Sequence, residues 1–264
     1  RGEGLEEARI AAWEAGMRAA LAARQAWMVR RGAAGFVRRC HGDLHLGNFC
    51  FWQGRPAPFD ALEFDEALAC IDTGYDLAFL LVDLELKAGR AAANRVLNRY
   101  VARTGDAGLV GGLVPFLSLR AMVRAHCLAR VGERAAAARA LAAAEAALAP
   151  APAVAVAVGG LPGVGKSTLA RTLAPGLGAA PGALVLRSDE IRKRRFGVPP
   201  EQRLPEAAYA EAVSREVMAE LCRAAGEAVA LGHSVVADAA FLDPADRAAI
   251  AQAVQEPAPF LGVW

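Results

Sequence analysis

Residues 160–167, in the second half of the chain, have the types and spacing of a loop that binds phosphate. They read Gly-Leu-Pro-Gly-Val-Gly-Lys-Ser and fit G-x-x-x-x-G-K-S/T at every defined position. Glycines let successive backbone N–H groups face one anion, and the N-terminus of the following helix adds its dipole. The lysine of such a loop reaches the β- and γ-phosphates of ATP, and the hydroxyl joins the shell of Mg²⁺.

The predicted nucleotide-binding residues are Gly160, Leu161, Pro162, Gly163, Val164, Gly165, Lys166, Ser167 and Thr168. We expect Lys166 to take part in catalysis and Ser167 to bind the metal as well. An apolar run enters this loop and a helical pattern leaves it, which is the setting that the motif requires.

Two acidic residues follow predicted strands of the same half. Asp238 comes directly after residues 234–237, and Asp189 comes after residues 184–188. The carboxyl ends of parallel strands meet at one edge of a sheet, where open α/β folds bind their ligands. We expect Asp238 to associate with Mg²⁺ and Asp189 to accept a proton from a substrate hydroxyl. The alternative for Asp189 is a plain helix cap.

Residues 41–48, in the first half, place an Asp and an Asn five residues apart. This spacing matches the H-x-D-x-x-x-x-N loop of kinases, in which the Asp accepts the proton of the substrate hydroxyl and the Asn holds Mg²⁺. Asp43 is therefore a predicted catalytic base and Asn48 a predicted metal ligand. The alternative is an ordinary turn that uses capping side chains.

A second metal-binding acid is expected at Asp60, where the strand after this loop ends. Glu63 and Asp65 follow closely, and either of them is an alternative to Asp60.

Five side chains of zinc-binding types also lie close together in the first half: Cys40, His41, His45, Cys50 and Cys70. No C-x-x-C or H-x-x-x-H pair is joined to a second pair at the spacing of a zinc finger, so the pattern disfavours structural zinc. The five cysteines of the chain are an odd and scattered set, which is typical of reduced thiols in the cytoplasm.

The elements that must position these residues follow from apolar periodicity. In the first half, helices are predicted at residues 5–29, 75–87, 91–103 and 114–148, and a hairpin at residues 49–52 and 57–60. In the second half, strands at residues 153–158, 183–186, 234–237 and 259–263 alternate with helices at residues 166–173, 206–231 and 243–254. This alternation predicts a parallel sheet with helices on its faces.

The composition limits the possible function classes. The 264 residues suggest two domains, and the net charge of +2 gives no general case for nucleic acid or an anionic membrane as the main partner. With 55% apolar and 22% charged residues, the chain has material for real cores. The richest apolar stretches, residues 77–84 and 153–158, are far shorter than the roughly 20 residues of a membrane span.

The phosphate loop and residues 188–192, Ser-Asp-Glu-Ile-Arg, resemble P-loop small-molecule and polynucleotide kinases, a group that includes zeta toxins and chloramphenicol phosphotransferase. The resemblance implies that Asp189 is a base or substrate anchor and that Arg192 binds substrate or phosphate. The family also carries arginines in a mobile lid after the fourth strand. The sequence ends at Trp264, before such a lid, so we expect it to bind nucleotide better than it turns it over.

Residues 41–48, Asp60 and residues 75–78, Tyr-Asp-Leu-Ala, resemble the aminoglycoside phosphotransferase family, which has a protein-kinase-like fold. The resemblance implies that Asp43 is the catalytic base, that Asn48 and Asp60 bind Mg²⁺, and that Asp76 supports the catalytic loop. A kinase of this fold needs a Gly-rich loop and a strand lysine before the catalytic loop. The residues before His41 contain no lysine, so we expect only the C-terminal lobe here.

The two halves in this order resemble a bacterial fusion family described as bifunctional aminoglycoside phosphotransferase/ATP-binding proteins. The resemblance implies a mixed fold. A mainly helical kinase-like C-terminal lobe at residues 1–148 and a linker at 149–153 precede an α/β P-loop domain with a parallel sheet at 154–264.

The expected activity is transfer of the γ-phosphate of Mg-ATP to a hydroxyl of a small molecule in the cytoplasm, without nucleic acid or membrane partners. The sequence does not indicate the oligomeric state. Two alternatives stay open: an ATP-binding switch or ATPase that regulates the first lobe or a partner, and a polynucleotide kinase. Switch ATPases usually carry an acidic pair or a Gln near the Walker B strand, where it positions the attacking water. In this sequence Asp238 precedes Ala239 and Ala240, which favours transfer over hydrolysis.

Overall fold

The computed structural model describes residues 6–255 and 258–264. The predicted helix start at Leu5 lies outside the described residues. The chain divides into two compact units. One contains the described residues up to Ala93 together with residues 111–150, and the other contains residues 94–110 together with the described residues from Ala151 to Trp264. The second unit thus takes a segment from the first half of the sequence.

The first half of the sequence is mainly helical. Its elements are α1 (Glu7–Ala33), β1 (Val37–Arg39), β2 (Phe49–Trp52), β3 (Arg55–Pro58), α2 (Glu66–Ala69), β4 (Cys70–Asp72), α3 (Thr73–Ala88), α4 (Arg90–Thr104), α5 (Val110–Arg130) and α6 (Arg134–Leu148). β1 pairs antiparallel with β4, and β2 pairs antiparallel with β3. The short elements α2 and β4 are not among the sequence predictions. The likeness of the first unit to a kinase lobe stays a prediction.

The single helix predicted at residues 114–148 is two helices in the structure. α5 ends at Arg130, and α6 begins at Arg134. Gly132 lies between them with φ of +83°, in the left-handed region that favours glycine and that commonly ends helices. The prediction was wrong here because the Ala-rich apolar pattern continues through the break without a change of period.

A buried ion pair fixes α1 to the end of β4. The Arg31 guanidinium donates to both carboxylate oxygens of Asp72, at 2.6 and 2.9 Å, and lies 4.0 Å from the ring centroid of Phe36. Asp72 also caps α3 by accepting from the Gly74 N–H at 2.7 Å. One carboxylate therefore holds the position of α1 and the start of α3.

The second half has α/β architecture. Its elements are β5 (Ala155–Val158), α7 (Lys166–Leu173), β6 (Leu184–Arg187), α8 (Ser188–Arg195), α9 (Glu211–Ala230), β7 (Val235–Asp238), α10 (Pro244–Val254) and β8 (Phe260–Val263). The four strands form a parallel sheet in the order β6-β7-β5-β8, which confirms the predicted parallel sheet. Buried alanine and valine side chains, including Val156, Val185 and Val236 of the strands, form a hydrophobic core at this sheet.

The free edge of β6 is covered by side chains of α4 that belong to the second unit. The Asn98 side chain accepts from the Val185 N–H at 2.6 Å and donates to the Ala183 carbonyl at 3.2 Å. Asn94 donates to the same carbonyl at 3.0 Å. The side-chain amide of Asn98 thus satisfies a backbone donor and a backbone acceptor, as a neighbouring strand would.

One described segment, Ala107–Arg130, is long and apolar enough by length and composition to cross a membrane. Its mean hydropathy is 1.3, and 72% of its most apolar window is buried within the protein. A core helix of this composition passes the same test, so this is weak evidence for a span.

Candidate active site

The loop between β5 and α7 curls through three left-handed glycines. Gly160, Gly163 and Gly165 have φ values of +128°, +83° and +94°. A Cβ on Gly163 or Gly165 would meet no atom within 4 Å, so the backbone conformation and not the available space calls for glycine. Gly165 is the N-cap of α7 and has no side chain that could cap the helix. The Thr168 N–H donates to the Gly165 carbonyl at 3.0 Å, and the N–H groups at the start of a helix are a favourable site for an anion.

Lys166 lies across this loop. Its ammonium donates to the Leu161 carbonyl at 2.8 Å, and the side chain is half-buried. The Gly160 N–H, at the loop entrance, donates to the Ala240 carbonyl at 2.8 Å, which ties the loop to the chain that leaves β7. A positive charge, helix N–H groups and an open glycine curl fit the phosphates of a nucleotide.

Ser167 and Asp238, the two predicted metal ligands of this half, are in direct contact, and their metal role stays a prediction. The Ser167 hydroxyl donates to Asp238 Oδ2 at 2.6 Å, and the Asp238 carboxylate is buried at the end of β7. A hydroxyl and a carboxylate are oxygen donors of the kind that Mg²⁺ prefers. Among the described residues, no three His, Cys, Asp or Glu side chains form a metal-binding group. Two protein oxygens beside phosphates suit Mg²⁺, which keeps several waters.

Arg187, to which the sequence predictions gave no role, joins this pair. Its Nε donates to Asp238 Oδ2 at 2.9 Å and its Nη2 to Ser167 Oγ at 2.9 Å. Its Nη1 donates to Glu190 Oε1 at 2.8 Å. Burial lowers the pKa of Arg187, but the hydrogen bonds that it donates to Glu190 and Asp238, together with the charges of these carboxylates, outweigh burial and raise the pKa overall. The sequence feature that could have indicated this role is the position of Arg187, a charged residue at the end of an apolar strand.

Asp189 lies in the first turn of α8 and forms an ion pair with Lys193. The Lys193 ammonium is 3.0 Å from Asp189 Oδ2 and donates to the Pro200 carbonyl at 2.7 Å. Asp189 is not the N-cap of α8, which was the alternative to a catalytic role, because Arg187 is the N-cap residue. The Asp189 carboxylate is 40% exposed and keeps access to solvent. Its role as a proton acceptor stays a prediction.

Arg192 is buried against the chain that leads into α9. Its guanidinium donates to the Ala208 carbonyl at 2.6 Å and to Ser214 Oγ at 3.3 Å, and lies 4.9 Å from the Tyr209 ring centroid. In this conformation Arg192 holds the 3-10 turn Glu206–Tyr209, and its predicted contact with substrate or phosphate stays a prediction. The prediction of a helix over residues 206–231 was wrong at its start, because α9 begins only at Glu211.

In the first unit, the structure brings Asp43 and Asn48 together. The Asn48 side-chain amide donates to Asp43 Oδ2 at 3.2 Å and to the Asp43 carbonyl at 3.0 Å. Asp76 accepts from the N–H groups of His41 at 3.1 Å and Gly42 at 2.9 Å. The loop is therefore held by a buried carboxylate from α3, and the catalytic role of the loop stays a prediction.

A second buried acid of α3, Asp83, holds the same loop and was missed from the sequence. Asp83 Oδ2 accepts from the Leu46 N–H at 2.9 Å and from the Lys87 ammonium at 2.8 Å. A single Asp within the apolar run of α3 was the available signal, because a buried carboxylate requires partners.

The three candidate acids after the hairpin differ in their surroundings. All three are exposed, and Asp65 caps α2 by accepting from the N–H groups of Ala67 and Leu68. Asp60 has φ of +61°, a left-handed conformation that is uncommon outside glycine and that clusters at functional sites.

The backbone on both sides of Asp60 contacts His41. The His41 ring nitrogen Nε2 lies 2.8 Å from the Phe59 carbonyl, and the Leu62 N–H donates to the His41 carbonyl at 2.9 Å. Asp60 is thus held beside the loop, and its metal role stays a prediction.

Residues 156–263 match the family model described as AAA domain. This match supports the P-loop that the sequence predicts in the second half of the chain and suggests that this half binds a nucleotide. The match does not extend to the first half, and no solved structure matches the chain significantly.

Two relatives are uncharacterized proteins of Mycobacterium bovis and Mycobacterium tuberculosis. Each is 32% identical over 220 residues, which cover 79% of this chain and 43% of the relative. The chain thus spans less than half the length of these relatives, and the similarity includes both halves of the sequence.

Proposed function

We propose that the second unit is an ATP-dependent phosphotransferase that moves the γ-phosphate of ATP to a hydroxyl group of a small molecule. The observation that carries the proposal is the contact of Ser167 with Asp238 directly behind the glycine loop. In P-loop enzymes these two residue types hold the metal beside the nucleotide phosphates.

Each residue of the site has a separate role in this proposal. The loop N–H groups and Lys166 bind the phosphates, and Ser167 and Asp238 hold Mg²⁺. When bound, Mg²⁺ neutralises charge on the β- and γ-phosphate oxygens. Asp189 accepts the proton of the acceptor hydroxyl, which makes that oxygen a better nucleophile.

Two features favour transfer over hydrolysis. Asp238 is followed by Ala239, which is buried, and by Ala240, so neither a carboxylate nor a Gln follows directly to position a water. Asp189, two residues after the end of β6, supplies a partly exposed carboxylate in the first turn of α8.

The ordered Asp43–Asn48 loop supports a second candidate, in which the P-loop domain is an ATP-dependent switch for a kinase-like first unit. A polynucleotide kinase is less well supported. Arg194 and Arg195 pair with Glu216 and Glu220 of α9 and do not form a free basic track.

Nucleotide binding is tested first by titration calorimetry with Mg-ATP. We expect Lys166→Ala to lower the affinity at least tenfold and Arg215→Ala, an exposed control on α9, to leave it unchanged. Equal affinity of Lys166→Ala and the unaltered protein would contradict the proposal.

The reaction is tested by transfer of labelled γ-phosphate to a panel of hydroxylated small molecules. Asp189→Asn should abolish transfer and keep the affinity for Mg-ATP, because its carboxylate is needed only to accept the proton. Phosphate release without any acceptor, abolished by Asp238→Asn and indifferent to Asp189→Asn, would instead favour the switch.

A further inference from the structure

Arg187 and Asp238 are neighbours at the carboxyl ends of adjacent strands. The parallel register of β6 and β7 places Arg187 opposite Asp238. The guanidinium uses this position to contact Asp238 Oδ2 and Ser167 Oγ, both at 2.9 Å. These are the same two side chains that the proposed function assigns to the metal, and the same oxygen of Asp238 also accepts the Ser167 hydroxyl.

The charges explain why a cation belongs there. The Asp238 side chain is 5% exposed, and a buried carboxylate without a partner is strongly destabilising. Arg187 supplies that positive charge from within the chain. On its other side the guanidinium donates to Glu190, so it has a second carboxylate to remain on when it leaves Asp238.

We propose that Arg187 is an internal counter-ion that occupies the metal position of the nucleotide-free site, and that a divalent cation takes Ser167 and Asp238 only by displacing it onto Glu190. This inference rests on the proposed function, because it takes Ser167 and Asp238 as the metal ligands. It makes Arg187 a positioning residue that keeps the site from binding metal before nucleotide. The nucleotide phosphates then favour the exchange by adding negative charge beside the metal.

The test is the binding of Mn²⁺ alone to nucleotide-free protein, measured by the electron paramagnetic resonance of the free ion. Arg187→Gln removes the competing charge, so we expect it to bind Mn²⁺ about tenfold more tightly than the unaltered protein. Arg187→Lys keeps a cation and should stay close to the unaltered protein. Arg187→Gln combined with Asp238→Asn should lose the gain, and Arg215→Gln is the control for loss of one positive charge.

Unchanged or weaker Mn²⁺ binding by Arg187→Gln overturns the proposal. Arg187 would then have only a structural role, as an ion pair between β6 and β7. A second variant covers the case in which Arg187→Gln does not fold. Glu190→Gln keeps Arg187 in place and removes the carboxylate that would receive it. We therefore expect about fivefold weaker Mn²⁺ binding in the presence of ADP. Unchanged binding by this variant also overturns the proposal.

The Mn²⁺ measurement separates this inference from the proposed function. If Lys166→Ala leaves Mg-ATP affinity unchanged, the proposed function fails, and the comparison of nucleotide-free proteins still decides whether Arg187 competes with metal. If nucleotide binding behaves as proposed and Arg187→Gln gains no Mn²⁺ affinity, only the inference fails.

Discussion

The side-chain amide of Asn48 and the carboxylate of Asp43 lie 3.2 Å apart, although five positions separate them in the sequence. A second bond from the same amide to the Asp43 carbonyl, at 3.0 Å, closes the loop on itself. Asp76, which belongs to α3, holds the start of the loop by accepting from the N–H groups of His41 and Gly42. The relation between a candidate base and a candidate metal ligand is therefore fixed by buried contacts from another element.

The anchor at Asp76 can be tested directly. Asp76→Ala leaves the N–H groups of His41 and Gly42 without their acceptor, which should cost about 2–4 kcal/mol of unfolding free energy. Hydrogen exchange should show faster exchange of these two amides, while Glu63→Ala, an exposed control, should leave them protected. Unchanged protection in Asp76→Ala would mean that Asp76 does not hold the loop.

The ion pair of Arg31 with Asp72 predicts a large loss of stability. Arg31→Met leaves the Asp72 carboxylate buried beside an apolar side chain, and we expect a loss of about 3–5 kcal/mol in urea unfolding. The exposed pair of Arg18 with Glu14 is the comparison, because Arg18→Met should change stability by less than about 1 kcal/mol. Similar losses in both variants would contradict a special role for the buried pair.

The side chain of Asn98 should contribute to the stability of the protein through its hydrogen bonds to the backbone of residues 183 and 185. Asn98→Leu leaves the Val185 N–H and one bond of the Ala183 carbonyl unsatisfied, at a cost of about 1–3 kcal/mol. Asn98→Asp keeps the acceptor for Val185 and should recover part of this loss. The Val185 amide is the local probe in hydrogen exchange, and Arg95→Ala, exposed on the same helix, should leave its exchange rate unchanged.

The cysteines should react with alkylating reagents in two groups. Burial raises the pKa of the Cys40 and Cys222 thiols to about 11, so only about 0.1% of each is thiolate at pH 8. Cys50, Cys70 and Cys127 are exposed. Mass spectrometry after iodoacetamide treatment should find these three modified first, and labelling of Cys40 and Cys222 should accelerate as the pH rises toward 11. Labelling of Cys40 as fast as Cys127 at pH 8 would contradict the prediction.

The sequence predicts most accurately where local chemistry leaves few choices. The glycine loop and α7 lie where they are predicted, because left-handed backbone positions and a helix start demand particular residue types. The four parallel strands also follow from their short apolar runs. Arg187, Asp83 and Asn98 were missed because their roles depend on partners 51, 37 and 87 positions away, which no local pattern displays. The break at Gly132 was missed because the composition around it is uniform.

The two amides that α4 presents to β6 also bear on how the sheet can grow. An uncovered edge strand is a template on which another chain can add a strand, and this is a common route to aggregation. Asn94 and Asn98 use the backbone groups of β6 that such an addition would need. The start of β6 is therefore protected against such an addition, and β8 is the other edge strand of the sheet.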